Sequence, residues 1–490
     1  MQKRYFSVLL LVVSLMAGLV ADKPNVLIIL VDDMGYGDLK NYNPDSKIEM
    51  PNVERLADEG MLFTDAHAPG PLCHMSRYGL MTGRYPFRKD VTKWPTDPLI
   101  AEGQETIASL LRDNGYRTAM VGKWHLGFKE NGYENPLPGG PVDRGFDSYF
   151  GIRASTDIPP YFYIRGSQAV SPPTNRIEAR YTDGWTKIQG EFWREGGIAP
   201  GLDLHDVLPR FTDEAIDVVD NHAKGPRSEM PLMLYLAYPA PHTPWLPSAK
   251  FVGKSEASMY GDFTMMVDDE IGRVLKALDR NGMTDDTLVI FTSDNGPVWF
   301  QYDVDRFGHT STGPLRGMKS DAWEGGHRMP FVVRWPGKVK AGSTSDQLVC
   351  FTDLMATFAD IVDTKLSADA GPDSFSFLPA LESSKPGKTK IRKSVVMKSG
   401  SGGLMTIRSG DWKFIEGKGS GGFSDRADAG SDPLAAGNNK KKTYEGEPEA
   451  QLYLMSEDIG EKNNLFEGNP EVVERLRKEM AKIVDSGRSR

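Results

Sequence analysis

The chain has 490 residues, too many for a single hydrophobic core, so more than one folded unit is expected. Its 39% hydrophobic and 26% charged content is that of a globular protein and excludes a fibrous or wholly disordered one. A net charge of -9 argues against nucleic acid as the main partner, which would require a basic face.

The N-terminal segment 1–21 is expected to be an export signal. Lys3 and Arg4 precede the apolar runs 6–13 and 15–20, and Ala21 stands before the polar Asp22-Lys23-Pro24. The apolar stretch is short and is interrupted by Ser14, which speaks against a stable membrane anchor. A periplasmic or secreted protein is therefore expected. Only Cys73 and Cys350 are present, so no disulfide framework is available. No Asn-x-Ser/Thr acceptor occurs, which favours a bacterial periplasm over a eukaryotic secretory setting.

From residue 24 to about 381, apolar runs alternate with helical periodicity. Strands are predicted at 26–31, 117–121, 232–238, 288–292 and 331–334, and helices at 105–113, 212–223 and 263–278. Asn114-Gly115 and Asn281-Gly282 close two of the helices. Continuously apolar strands separated by helices predict an α/β fold, with a mostly parallel central sheet flanked by helices. Residues 152–200 are rich in proline and aromatics and read as loops and inserted elements over the site. A hairpin is predicted from 404–408 and 412–415, a further strand at 451–455, and an amphipathic helix at 470–484. Residues 417–449, which include Lys440-Lys441-Lys442, read as a mobile loop. The expected division is a catalytic domain over 22–390 and a smaller antiparallel-sheet plus helix subdomain over 391–490.

In parallel sheets, ligands bind beyond the carboxyl ends of the strands. Four of these strands run into Asp32-Asp33, Gly122-Lys123-Trp124-His125, Pro241-His242-Thr243-Pro244 and Ser293-Asp294-Asn295-Gly296. Adjacent carboxylates repel each other unless a cation neutralises them. Asp32, Asp33, Asp294 and Asn295 offer only oxygen ligands, which suits a hard divalent cation, Ca2+ first and Mg2+ second. Cys73 precedes Arg77 by one helical turn, an arrangement that activates a sulfur or holds an anion. Lys123 and His125, two apart, face one side of an extended backbone. Arg77, Lys123 and Lys319 beside a metal call for a tetrahedral oxyanion. His242 is the candidate acid for a leaving oxygen.

Six segments occur in collinear order: Val-Asp-Asp-Met-Gly-Tyr-Gly-Asp at 31–38, Cys73 to Arg77 with Thr82-Gly83-Arg84, and Gly-Lys-Trp-His-Leu-Gly at 122–127, then Thr-Ser-Asp-Asn-Gly at 292–296, Gly-Pro-Leu-Arg-Gly-Met-Lys at 313–319 and Trp-Glu-Gly-Gly at 323–326. This series resembles the type I sulfatases of the alkaline phosphatase superfamily. Residues 155–161 resemble the arylsulfatase A and N-acetylgalactosamine-6-sulfatase branch. The resemblance implies that Cys73 is oxidised to formylglycine by a transient maturation enzyme. It implies that Asp32, Asp33, Asp294 and Asn295 bind calcium together with the modified Cys73. Arg77, Lys123 and His125 would then steady the nucleophile, while Lys319 and His242 hold the sulfate. The family's proline after Cys-x is Met75 here, which bears on maturation. The expected substrate is a sulfated carbohydrate, with a 6-sulfated hexosamine as the specific candidate, or an aryl sulfate. Asp157, Tyr161 and His309 are candidate substrate contacts. A phosphomonoester or phosphodiester hydrolase of the same superfamily, and a non-catalytic sulfated-glycan binder with an unmodified Cys73, are the alternatives.

Overall fold

The strand Asn25–Asp32 lies in the middle of a ten-stranded mixed sheet, between Thr287–Ser293 and Leu232–Pro241, parallel to both. This computed structural model describes residues 23–89, 91, 96–382, 390–400, 402–426 and 442–490. The expected export signal lies outside the described residues, as do Lys440 and Lys441. Beyond Leu232–Pro241 the sheet continues in parallel with Arg117–Lys123 and Ser148–Ile152, then antiparallel through Ile164–Arg165 and Gln168–Ala169. On the other side it continues through Phe331–Arg334, Met61–Phe63 and Ser343–Ser345.

Alternation explains why the central strand is apolar throughout. Val26, Ile28 and Leu30 enter one core with Tyr78, Leu80, Leu111 and Met355. Leu27, Ile29 and Val31 enter the other with Val53, Phe211, Val267 and Ile271. Successive side chains point to opposite faces, and helices cover both. The helices Cys73–Thr82, Ile107–Asp113 and Leu354–Ile361 pack together on the first face. Pro51–Asp58, Val207–Ala223 and Ser258–Arg280 cover the second.

Phe331–Arg334 is a strand, but it runs antiparallel to Thr287–Ser293. Residues 152–200 combine loops with short inserted strands, two of which extend the main sheet. The described part of 417–449 is hydrogen-bonded to the main body. Ala322 N donates to the Ser420 carbonyl at 2.7 Å, and Ser424 N donates to Asp321 at 3.1 Å.

The C-terminal strands Ser394–Lys398, Met405–Ser409, Trp412–Ile415 and Gln451–Leu454 form an antiparallel sheet in sequence order. Helix Pro470–Asp485 buries Val473, Leu476, Met480 and Ile483 against Val395, Ile407, Phe414 and Leu452. Cys350 and Tyr85 join this cluster from the main body. Fully buried Lys413, in the C-terminal sheet, reaches Glu324 of the main body at 2.9 Å and Glu461 at 2.8 Å, a charged tie between the two. Among the described residues, no helix is long and apolar enough to cross a membrane.

Candidate active site

Register brings the strand ends together. Val31 pairs with Ser293, so the residues that follow, Asp32-Asp33 and Asp294-Asn295, emerge side by side. Asp32 stands opposite Pro241 across a bulge, which delivers His242 beside them. Ala237 pairs with Gly122, which places Lys123 next in line. Gly122 is required there. Its φ is +115°, and an added Cβ would lie 1.9 Å from the Ala237 carbonyl oxygen.

Helix Cys73–Thr82 is buried along its whole length and begins at Cys73, so the positive end of its dipole faces the sulfur. Arg77, four residues on, forks onto Asp294 Oδ2 through Nε at 2.9 Å and Nη2 at 2.8 Å, and donates through Nη1 to the Lys123 carbonyl at 2.9 Å. Lys123 is fully buried and donates to Asp32 Oδ2 at 2.5 Å and Ser155 Oγ at 2.6 Å. Lys319 donates to Asp33 Oδ1 at 2.5 Å and stands 3.3 Å from Cys73 Sγ. Asn295 donates to Asp33 Oδ1 at 2.6 Å. His242 presents Nε2 at 3.5 Å from Asp33 Oδ2, and its Nδ1 donates to the Thr243 carbonyl at 2.6 Å. Ligand atoms of Asp32, Asp33, Cys73 and His242 all lie within 4.8 Å of one another.

The electrostatics are those of a cation site. Buried Asp32 Oδ1 and Asn295 Oδ1 have no hydrogen-bond donor among the described residues, an expensive state unless a cation coordinates them. Burial, then the neighbouring Asp32 charge, push the Asp294 carboxyl up to about 6. Burial and the Asp32 charge also raise Asp33, although Lys319 opposes them. Against burial, Lys123, His242 and Arg77 hold Asp32 well below the usual carboxylate range. These oxygens therefore fit a hard divalent cation. Three acids face three bases, so an added dication leaves two positive charges for anionic partners.

Burial pushes the Cys73 thiol up to about 12 despite Lys123 and Lys319. An unmodified thiol here is neutral and weakly nucleophilic. Burial, with Lys319 adding to it, brings His242 down to about 4. Burial and Lys123 hold His125 well below the ordinary imidazole range. Asp33, His125 and Ser320, with φ of 64°, 56° and 76°, hold the left-handed conformation at this site. For residues other than glycine that strain is of order 1–3 kcal/mol each, and it clusters where geometry is fixed for function.

The pocket above this floor has a cavity volume of about 120 Å3. Its walls include Leu72, His74, Ser155, Asp157, Arg194 and Phe423. Asp157 lines it, with Oδ1 3.9 Å from His242 Nδ1 and Oδ2 2.5 Å from Arg194 Nη1. Two expected substrate contacts require correction. Tyr161 does not line the pocket; it is 4% exposed and donates its hydroxyl to the Arg194 carbonyl at 2.7 Å. His309 is fully buried and bound to Asp38 at 2.8 Å, so it supports the loop after Asp33 instead. Sequence reasoning assigned no role to His74, Ser155, Arg194 or Phe423. Proximity flags His74, which adjoins Cys73, and Ser155, which opens the 155–161 segment, but nothing in the sequence flags Arg194 or Phe423.

Residues 24–364 match the family model described as Sulfatase. An N-acetylgalactosamine-6-O-sulfatase of Bacteroides thetaiotaomicron is 32% identical over 508 aligned positions, covering 96% of this chain and 94% of that protein. Human arylsulfatase A is 31% identical, covering 95% of this chain and 89% of its own length. A solved Bacteroides thetaiotaomicron structure, from work on the metabolism of multiple glycosaminoglycans, matches with a TM-score of 0.80 at 30% identity, over 95% of this chain and 100% of that one. Fold and site therefore define a sulfuric ester hydrolase built on an alkaline-phosphatase-like sheet. The chain belongs to the sulfatase family.

Proposed function

We propose that the protein is exported and removes sulfate from a sulfated carbohydrate, with a 6-sulfated hexosamine as the specific substrate class. The supporting observation is one buried cluster in which Asp33, Cys73, His242 and Lys319 line the pocket and Asp32, Lys123, Asp294 and Asn295 are bonded to one another or to those residues and their neighbours. The names of the relatives, N-acetylgalactosamine-6-O-sulfatase among them, support the substrate class.

In this reading, Asp32, Asp33, Asp294 and Asn295 hold calcium, with Cys73 converted to formylglycine above it. The cation supplies Lewis-acid stabilisation of charge on the sulfate oxygens, and formylglycine supplies the oxygen nucleophile that the neutral thiol cannot. Lys123 and Arg77 fix the carboxylates. His125 lies beside the nucleophile. Lys319, between Asp33 and Cys73, is placed to neutralise the sulfate. His242 keeps one proton on Nδ1 for Thr243 and turns Nε2 toward Asp33. Nε2 takes a proton when the substrate's negative charge arrives, and passes it to the departing alcohol oxygen. Asp157 and Arg194, paired in the lining of the pocket, are positioned to meet sugar hydroxyls.

Two measurements test this. Peptide mass analysis of the Cys73 region, in protein from the native host, should show sulfur replaced by a carbonyl oxygen. Paired 4-nitrophenyl sulfate and phosphate should then be cleaved with strong preference for the sulfate. An alkylatable thiol at full occupancy would turn the reading to a glycan binder, and a phosphate preference to a phosphoesterase.

A further inference from the structure

Two grooves adjoin where helix Pro470–Asp485 and the C-terminal sheet meet the main body, with volumes of about 750 and 710 Å3. Phe375, Lys393 and Arg475 line both, so they form one continuous trough. It shares no lining residue with the active pocket.

Positive charge is concentrated there. Although the chain carries a net charge of -9, nine basic side chains face four acids (Asp65, Asp346, Asp411 and Glu479) along the trough, and one end is lined by Lys393, Arg475, Lys478, Lys482, Arg488 and Arg490 with Glu479. Residues 475, 478 and 482 fall on one helix face by their spacing, and all three are exposed. Glu479 is already committed, to Lys393 at 2.8 Å and to the Ser409 hydroxyl at 3.1 Å. At the other end Arg408, with an 8% exposed side chain, reaches Asp65 at 3.3 Å. Its Nε and Nη1 have no acceptor among the described residues. Half-buried Phe375 and Trp412 line the same end.

Cations at intervals along a trough suit a chain of sulfate groups, and aromatic faces between them suit the apolar faces of sugar rings. Elsewhere an acidic protein repels a polyanion, so a basic trough is where one accumulates. We propose that this trough docks a sulfated polysaccharide chain, holding the polymer while the separate pocket acts on one of its sulfates. The proposal rests on the carbohydrate-sulfatase reading above.

The test compares wild type with the triple variant Arg475→Gln, Lys478→Gln and Lys482→Gln, using calorimetry with chondroitin 6-sulfate chains at near-physiological salt. Focusing by a like-charged cleft predicts affinity at least ~10-fold weaker in the variant. KM for the polymer should rise with it, while turnover of 4-nitrophenyl sulfate stays unchanged and certifies the fold. Phe375→Ala should weaken chondroitin 6-sulfate but not inorganic polyphosphate. Equal polymer binding by wild type and triple variant overturns the proposal, and so does equal weakening of both polyanions by Phe375→Ala, which would indicate bare ion exchange. Binding that responds as expected in a protein without sulfatase turnover would sink the catalytic reading and leave the docking site standing.

Discussion

Removing the cation should destabilise the protein more at pH 7.5 than at pH 5, and Asp294 supplies the reason. In the metal-free protein its carboxyl is fully buried beside Asp32, and is pushed up to about 6 by burial first and by that charge second. In the unfolded chain an aspartate titrates near 4. Between those values the native metal-free state binds a proton that the unfolded state does not, so it gains stability as pH falls through this window. Above pH 6 the gain is gone, and the ionised carboxylate is a cost of about 3 kcal/mol, from about two pH units at about 1.4 kcal/mol each. Asp33, also raised by burial, adds in the same direction. A bound dication matches the ionised carboxylates, so the calcium-loaded protein should not show this dependence. The melting-temperature gap between calcium-saturated and EDTA-treated protein should therefore narrow by a few degrees from pH 7.5 to pH 5. Differential scanning calorimetry at both pH values measures it, with Asp294→Asn as the control in which the narrowing should largely disappear. A gap that is equal at both pH values, or wider at pH 5, would refute the reasoning.

Three further outcomes follow from particular contacts. His242→Ala should cost ~100-fold or more on a sugar 6-sulfate, whose alcohol needs a proton to leave, and less than ~10-fold on 4-nitrophenyl sulfate. Equal losses in kcat/KM would remove His242 as the acid. Met75 occupies the third position of helix Cys73–Thr82, where the backbone N–H has no intrahelical acceptor, so Met75→Pro should lower the melting temperature only modestly while raising the formylglycine fraction seen by mass spectrometry. An unchanged fraction would show that methionine is read as well as proline. Lys413→Met strips the cation from between buried Glu324 and Glu461 and should cost about 3–5 kcal/mol in urea denaturation. A loss below about 1 kcal/mol would show that the tie is neutralised by other groups.

The strand ends were legible because each apolar run stops abruptly at polar residues, and a parallel sheet obliges such stops to share an edge. Asp32, Lys123, His242 and Asp294 follow from that one rule. Tyr161 and His309 were misplaced for the opposite reason. Each sits in an irregular segment, where no period fixes which way a side chain faces. Asp157 lies four residues before Tyr161, yet one lines the pocket while the other turns its hydroxyl to a backbone carbonyl. Phe423 had no signal at all. It reaches the pocket from a glycine-rich stretch that composition marks as a loop, held by contacts to Asp321 more than one hundred residues earlier.

Lys319 shows where the strand-end rule stops. Taken alone, Gly317-Met318-Lys319-Ser320 reads as a solvated loop, and no strand delivers it. Its position comes from backbone bonds that cross the sequence: Lys319 N to the Pro297 carbonyl at 2.9 Å and Ser320 N to the Pro71 carbonyl at 2.7 Å. Pro297 follows the Asp294-Asn295 pair, and Pro71 precedes the Cys73 helix. One short loop therefore couples the proposed cation site to the proposed nucleophile and sets Lys319 between Asp33 and Cys73 Sγ. Satisfying two buried N–H groups fixes the spacing of three functional segments at once. A one-residue insertion between 297 and 319 would displace Lys319 without touching a catalytic side chain, and activity should fall through KM for sulfate esters before stability does.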